Sequence, residues 1–316
     1  MKASASIAAS LETWFAKAKR DMPWRRKATA YRCWLSEIMM QQTTYASVLP
    51  YYTRFLERFP SVESLASAEE ADVLKAWEGL GYYARARNLH RAAKAIAAGR
   101  WPETAAEWAK VPGVGPYTAA ALASVLNGER APVVDGNVAR VFARLWALGD
   151  DFRKQPARAR LAARLRPEIE RAHVPGDFNQ AMMELGALVC TPTSPDCGAC
   201  PLAAQCAARK GGAQGDYPVK TMRKPLPVRT RTVVIVYDGA GRVLLVQNRE
   251  GGLLRGLWDL PTLEEVGAQS QVFSHFRLEQ KALAAVGAAA EFKDPETVPL
   301  TTAARRALSA HRLRAS

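Results

Sequence analysis

The stretch VPGVGPYTAAALASVL (111–126) places two glycines two residues apart, directly before a run of residues with helical character. Gly113 and Gly115 permit a tight turn that lets the backbone approach a ligand closely, and the amide groups at a helix start attract phosphate. Such a turn is also common as a plain connection between two helices. The segments around it must therefore decide whether this turn contacts phosphate.

Hydrophobic periodicity divides the chain into two parts. From about residue 8 to 209, apolar residues recur at i, i+3 and i+4, which predicts a mainly α region. Residues 210–229 are rich in glycine, proline and basic residues and have no periodicity, so we interpret them as a linker. The following RTVVIVYDGAGRVLLVQNR (231–249) contains two β-rich runs around a glycine turn, which predicts a hairpin and a small α+β domain over 230–316.

The charge of the chain favours a polyanionic partner. The formal net charge is +14 over 316 residues and the isoelectric point is near 9.8. Nucleic acid is the first candidate and a membrane surface the second. The sequence has no apolar run long enough to cross a membrane, and its first twenty residues have the pattern of an amphipathic helix, not of a signal peptide. We therefore expect a cytoplasmic protein.

Four of the five cysteines are clustered in the segment CTPTSPDCGACPLAAQC (190–206). They are Cys190, Cys197, Cys200 and Cys206. Four thiolates in one short loop can surround a metal centre, and the spacing alone leaves zinc and an iron–sulfur cluster both open. Cys33 lies apart, in an apolar helical segment, and is expected to be a buried thiol.

Asp135 comes directly before a predicted helix, in the segment APVVDGNVARVFARLWAL (131–148). It can act simply as an N-cap, which contributes about 1 kcal/mol to helix stability. The same position favours an ionised carboxylate, because the helix dipole and the amide hydrogen bonds stabilise negative charge. Asp135 is therefore a candidate fixed anion.

Glu37 lies in the segment WLSEIMMQQT (34–43), where its helical neighbours are Cys33, Trp34, Met40 and Gln41. Desolvation there would raise its pKa and favour the protonated form, although a solvent-facing glutamate is the alternative. A protonated carboxyl group beside an ionised one is the arrangement that cleaves glycosidic bonds. The two carboxylates predict a glycosidase-like site.

The chain resembles the MutY family of adenine DNA glycosylases in several segments that follow one another in the expected order. They are PWR (23–25), SEIMMQQT (36–43), GLGYYARARNLH (79–90), VPGVGPYTA (111–119), VDGNVARV (134–141), FNQAMMELGALVC (178–190) and the cysteine loop, whose spacing resembles that of a 4Fe–4S cluster. The resemblance implies a mainly α, two-lobed helix-hairpin-helix glycosylase fold over 1–209. It implies a six-helix domain over about 22–130, and a cluster domain formed by the N-terminal helix and about 131–209.

The resemblance also implies roles for individual residues. Glu37 would protonate the adenine, Asp135 would stabilise the sugar cation, Tyr117 would assist both, and Asn137 would support Asp135. Residues matching the adenine pocket are Arg20, Trp24, Arg25, Met40 and Gln180; for Trp24 and Met40, core packing is an equally good reading. Gln42 and Tyr82 match residues that enter the base stack when a base is extruded, with plain packing as the alternative for Tyr82.

The resemblance to the family's Nudix-like domain, which recognises 8-oxoguanine, is weaker. FSHFRL (273–278) resembles a recognition loop, so Phe273, Ser274 and His275 are candidate contacts. Only ten residues separate Pro261 from Val272, so we expect a trimmed domain. The segment lacks the REx2EE pattern that binds magnesium in Nudix hydrolases.

These features predict a monomeric, monofunctional glycosylase that acts on double-stranded DNA containing A:8-oxoguanine or A:G mispairs and carries a 4Fe–4S cluster. One alternative is an endonuclease III-like glycosylase and lyase for oxidised pyrimidines, against which the tyrosine at position 117 argues. Another is a non-catalytic iron–sulfur protein that binds DNA or senses redox state. Such a protein would have no need for two carboxylates in contrasting environments.

Overall fold

The computed structural model describes residues 6–219, 233–249, 252, 254–262 and 290–315. The contacts of the chain divide it into two compact units. One comprises Met1–Ile38 and Arg100–Lys224, and the other comprises Met39–Gly99 and Pro225–Ser316. This division differs from the predicted boundaries, because residues 39–99 group with the C-terminal segment.

Most of the described chain is helical, as the sequence predicts. The helices are α1 (Ile7–Ala18), α2 (Pro23–Arg26), α3 (Ala30–Met40), α4 (Tyr45–Arg58), α5 (Val62–Ala66), α6 (Glu70–Ala76), α7 (Ala84–Ala97), α8 (Ala105–Trp108), α9 (Pro116–Asn127), α10 (Gly136–Trp146), α11 (Gln155–Arg171), α12 (Pro175–Leu188), α13 (Ala207–Lys210) and α14 (Thr302–Ala315). The strands are β1 (Val243–Gln247), β2 (Trp258–Asp259) and β3 (Ala290–Lys293). Within the described residues, no helix has both the length and the apolar character needed to span a membrane.

The core of the first unit is built around helices α1, α10, α11 and α12. Its buried side chains include Leu11, Phe15, Phe142, Leu165 and Phe178. Along α1 and α11 the buried positions recur at three- and four-residue spacing, so each of these helices buries one face. Helices α10 and α12 are buried around most of their circumference. This packing fixes the start of α10, which carries Asp135.

Helix α12 approaches its neighbours at two glycines. A Cβ on Gly176 would lie 2.9 Å from the carbonyl oxygen of Ser124 in α9. A Cβ on Gly186 would lie 2.6 Å from the Cβ of Asn137 in α10. Because neither contact leaves room for a side chain, glycine is required at both positions for this packing.

The predicted turn at 111–115 joins α8 to α9. Thr104 and Glu107 form a capping box that starts α8. Gly113 has φ +82°, a left-handed conformation that favours glycine, and Gly115 caps α9 before Pro116. The prediction of a tight turn that opens onto a helix is confirmed.

The second unit contains α4–α7 together with a three-stranded antiparallel sheet in the order β2-β1-β3. The predicted hairpin is present only in part. Tyr237 pairs with Val243 across a turn in which Gly241 has φ +76°, but residues 233–237 form isolated bridges and not a strand. Leu245, Trp258 and Leu300 are buried together beside α14. The prediction of an α+β C-terminal region is thus confirmed for the described residues.

Side chains of the α6–α7 region bind the C-terminal segment within this unit. Lys75 Nζ donates to the carbonyl oxygen of Val298 at 2.9 Å. The Tyr83 hydroxyl donates to the carbonyl oxygen of Leu300 at 3.1 Å. Arg305 Nε donates to Glu78 Oε1 at 2.5 Å. These contacts explain why residues 39–99 and the C-terminal segment form one compact unit.

We predict that Gly186→Ala destabilises the protein by about 1–3 kcal/mol, because the new methyl group would force α12 away from Asn137. Thermal unfolding would measure the loss. The matched control is Gly149→Ala, since a Cβ there meets no atom within 4 Å. Equal unfolding temperatures for the two variants would contradict this account of the helix packing.

Candidate active site

Glu37 lies in α3 between buried residues on both sides, Ser36 and Ile38. Burial raises the pKa of Glu37 to about 7, and the nearby negative charge of Asp135 adds to this effect. Hydrogen bonding with Tyr117 and the positive charge of Arg25 act in the opposite direction. The sequence-based expectation of a raised pKa agrees with this environment. At neutral pH a large fraction of Glu37 therefore carries a proton.

Asp135 is the N-cap of α10, as the sequence predicts. Its Oδ1 accepts a hydrogen bond from the backbone N–H of Val138 at 2.7 Å, and its Oδ2 accepts one from Asn137 Nδ2 at 3.0 Å. Burial nevertheless raises the pKa of Asp135 above its ordinary value, and the hydrogen bonds offset this only in part. The sequence predicts that the helix start stabilises the anion of Asp135. The cap does so, but desolvation has the larger effect and raises the pKa.

Tyr117 is the second residue of α9 and interacts with both carboxyl groups. Burial raises the pKa of its hydroxyl well above the ordinary value, and the charges of Glu37 and Asp135 reinforce this. The hydroxyl is therefore neutral and donates to Met183 Sδ at 3.0 Å. The same hydroxyl also hydrogen-bonds to Glu37, and this bond lowers the pKa of the carboxyl group because it stabilises the ionised form.

Two arginines predicted to line the pocket are held by one buried carboxylate, Glu184, in α12. Arg20 donates to it through Nε and Nη2, both at 2.8 Å, and Arg25 Nη1 donates at 3.3 Å. Burial alone would raise the pKa of Glu184, but the hydrogen bonds and charges of the two arginines lower it overall. Arg25 Nε also donates to Gln180 Oε1 at 2.8 Å. Arg20, Arg25 and Gln180 are thus joined in one network.

A third arginine, Arg140, links the start of α10 to the cysteine loop. Arg140 Nη2 donates to Asn137 Oδ1 at 2.9 Å and to the carbonyl oxygen of Gly186 at 2.7 Å. Its Nε donates to the carbonyl oxygen of Cys190 at 2.8 Å. Because Asn137 also donates to Asp135, a chain of hydrogen bonds runs from Asp135 through Asn137 and Arg140 to the backbone of Cys190.

The four predicted cysteine ligands line one pocket together with Arg144 and Gln214. The buried Arg144 donates to the carbonyl oxygens of Thr191 and Pro192, and its Nη1 lies 3.4 Å from Cys190 Sγ. Gln214 Nε2 donates to Cys197 Sγ at 3.7 Å. Burial, together with the other cysteines, raises the pKa of Cys200 to about 11. The expectation of a buried Cys33 is confirmed, and burial raises its pKa to about 11 as well.

The remaining predicted site residues are distributed as follows. Trp24 is buried in the first unit, where its carbonyl oxygen faces Cys33 Sγ. Met40, Gln42 and Tyr82 belong to the second unit. Phe273, Ser274 and His275 lie outside the described residues.

Sequence reasoning missed the residues that support the site. They are Arg140, Arg144, Met183 and Glu184. The available signal was a charge placed on an otherwise apolar helix, as in MMELG (182–186), where Glu184 is only 2% exposed. A charge buried in a core needs a partner, so such a position indicates a network.

Three comparisons place the chain among known proteins. Residues 35–167 match the model of the HhH-GPD superfamily of base excision DNA repair proteins. Adenine DNA glycosylase of Homo sapiens is 37% identical, over 80% of the chain and 57% of the human protein. Adenine DNA glycosylase of Schizosaccharomyces pombe is 36% identical, over 81% of the chain and 68% of the yeast protein.

A solved structure of a thermostable thymine-DNA glycosylase has the same fold, with a TM-score of 0.58 and 25% identity, over 65% of the chain and 95% of that protein. The chain spans little more than half the length of its human relative. The matched model covers α9, α10 and the turn between α8 and α9, which carry Tyr117 and Asp135. The chain therefore belongs to the adenine DNA glycosylase family of the HhH-GPD superfamily.

Proposed function

We propose that the chain is a monofunctional DNA glycosylase that removes adenine paired with 8-oxoguanine or G in double-stranded DNA, acting as a monomer. The observation that carries the proposal is a buried, neutral tyrosine, Tyr117, that hydrogen-bonds to Glu37 and interacts electrostatically with Asp135. Glu37 has a pKa of about 7, whereas hydrogen bonds from α10 support the anion of Asp135. Adenine as the substrate is supported by the names of the relatives.

The two carboxyl groups divide the work of breaking the N-glycosidic bond. Glu37 donates its proton to a ring nitrogen of adenine, which makes the base a neutral leaving group. The anion of Asp135 stabilises the positive charge that develops on the sugar. Water then adds to the sugar carbon, and an abasic site remains.

Tyr117 decides between this reaction and strand cleavage. A lysine at this position would offer an amine that attacks the sugar carbon and forms a Schiff base. A phenol cannot form an imine, and burial keeps the Tyr117 hydroxyl neutral. The reaction therefore ends at the abasic site.

Contacts to the DNA backbone are proposed for the turn that contains Gly113 and Gly115. The left-handed φ of Gly113 and the amides that begin α9 support this role, as does the net charge of +14. Phe273, Ser274 and His275 are proposed to contact 8-oxoguanine from a Nudix-like domain. The antiparallel sheet and α14 are compatible with that domain type.

The four thiols of the cysteine pocket are proposed to bind a 4Fe–4S cluster. The proposal is supported by their lining of one pocket and by the spacing of the cysteines, which resembles that of a cluster loop. A cluster bound by these cysteines would fix the loop 190–206 beside α10.

We predict that purified protein releases free adenine from A:8-oxoguanine and A:G duplexes but leaves thymine glycol in place, as a panel of labelled duplexes would show. Borohydride added during the reaction should trap no covalent adduct. Tyr117→Lys supplies the missing amine and should give some adduct and strand nicking. Efficient trapping by the unaltered protein would instead support the lyase.

The pKa of Glu37 predicts how the rate of adenine release depends on pH. The acid must be protonated, so the rate should fall as pH rises through about 7. It should also fall at low pH, at a point above the ordinary range of aspartate, because the pKa of Asp135 is raised. Single-turnover assays across pH would measure both limbs.

Two variants test whether the deprotonation of Glu37 causes the fall in rate at alkaline pH, which is the alkaline limb of the pH profile. Glu37→Gln cannot deliver a proton and should slow adenine release by roughly 10²–10⁴-fold while duplex binding persists. Arg25→Gln removes a positive charge that lowers the pKa of Glu37, so its alkaline limb should move to higher pH. An unchanged alkaline limb in Arg25→Gln, together with an active Glu37→Gln, would place the acid elsewhere.

We predict that the protein is yellow-brown and contains iron and acid-labile sulfide. Cys200→Ser should lose iron and loosen the loop 190–206, as metal analysis and limited proteolysis would show. Cys33→Ser is the matched control, because Cys33 is buried outside the pocket and should not affect iron content. A colourless protein with one zinc per chain would contradict the cluster assignment.

A further inference from the structure

Two turns of the second unit carry exposed residues in a strained backbone conformation. Gln42, just after α3, has φ +58°, and Tyr82, just before α7, has φ +49°. Residues with a side chain rarely adopt such angles, so the surrounding structure must hold them. Tyr82 is 62% exposed although it is a large aromatic residue, and Gln42 is exposed as well. Strain and exposure together indicate residues held for a binding function.

Both turns are hydrogen-bonded to one buried side chain, Arg85, in the first turn of α7. Arg85 Nη1 donates to the carbonyl oxygens of Met39 at 2.8 Å and Gln41 at 2.6 Å. Its Nη2 donates to the carbonyl oxygens of Leu80 at 3.1 Å and Gly81 at 3.2 Å. The guanidinium thus holds the backbone directly before Gln42 with one nitrogen, and that before Tyr82 with the other.

The guanidinium is suited to this role because it is planar and presents its donors in a fixed geometry. Its carbon lies 5.3 Å from the centre of the Trp77 ring and 5.7 Å from that of the Tyr82 ring. Trp77 Nε1 donates to the carbonyl oxygen of Gly81 at 3.1 Å, which fixes the second turn further. If one turn moved, the guanidinium of Arg85 would move with it, and the hydrogen bonds of Arg85 to the other turn would change.

We infer that Arg85 is a positioning residue that holds Gln42 and Tyr82 at one fixed spacing, so that both side chains enter the base stack together. The inference rests on the proposed function and on the role that the family resemblance implies for these two residues, which is to fill the gap left by an extruded adenine. A wedge can hold a duplex open only if it is rigid, because the unstacked bases would otherwise close again. Arg85 supplies that rigidity without touching DNA.

The test compares Arg85→Lys with the unaltered full-length protein. Lysine keeps the positive charge, but its single ammonium group cannot reach four carbonyl oxygens in the same geometry. In a duplex with 2-aminopurine next to the A of an A:8-oxoguanine pair, fluorescence should rise much less with the variant. Single-turnover adenine release should slow by roughly 10- to 100-fold, since the wedge is misplaced.

Arg87→Gln is the matched control. Arg87 is also buried in α7, but it binds Glu70 and the carbonyl oxygen of Arg255 instead of the two turns. This variant should lose thermal stability while the fluorescence rise and adenine release stay as in the unaltered protein. If both variants lose stability and both keep a full fluorescence rise, Arg85 is merely structural and the inference is wrong.

A second measurement avoids any folding defect of Arg85→Lys. Gln42→Ala and Tyr82→Ala alter exposed side chains, and a double-mutant cycle on the fluorescence rise should show that their effects are strongly non-additive. Additive effects would mean that the two turns act independently. That result would overturn the inference about Arg85 but not the proposed function. An unaltered protein that releases no adenine would overturn the proposed function, and the inference with it.

Discussion

The close approach of α12 to α10 is the constraint on which the site depends. Gly186 lets the two helices meet at Asn137, and Asn137 in turn holds the carboxylate at the start of α10. The same helix brings Met183 to the Tyr117 hydroxyl and carries Glu184 to the pocket arginines. One buried helix therefore sets the positions of groups that come from three other elements. A shift of this helix by even a fraction of an ångström would disturb all of them at once.

Two glutamates of the first unit show how surroundings decide the state of the same side chain. Glu184 is buried, but two arginines bind it and lower its pKa, so it remains a structural anion. Glu37 is also desolvated, but the positive charge of Arg25 only partly offsets the burial and the neighbouring charge of Asp135, so its pKa rises to about 7. Because Glu184 binds Arg25, it helps to hold the positive charge of Arg25 near Glu37. The stable ion pair thus influences the reactive acid.

Much of this organisation could be predicted from the sequence, because it depends on local patterns. Helical periodicity, the turn before α9 and the cap at Asp135 each depend on residues close together in the chain. The hydrogen bonds that hold the site residues in place could not be predicted in the same way. Arg140 binds a carbonyl 50 residues away and Glu184 binds an arginine 164 residues away, so only the folded packing brings them together. The raised pKa of Asp135 cannot be predicted for the same reason, because the cap is visible in the local sequence whereas the burial of the carboxyl group comes from packing.

The C-terminal segment is bound in a way that bears on how freely its sequence can change during evolution. Lys75 and Tyr83, on the helical side, donate to carbonyl oxygens of Val298 and Leu300. A carbonyl oxygen is present whatever side chain its residue carries, so substitutions at those two positions leave these hydrogen bonds available. The helical donors have no such freedom, because each bond uses their own side chain. Sequence divergence in the C-terminal segment is therefore compatible with an unchanged attachment, provided that the helical donors persist.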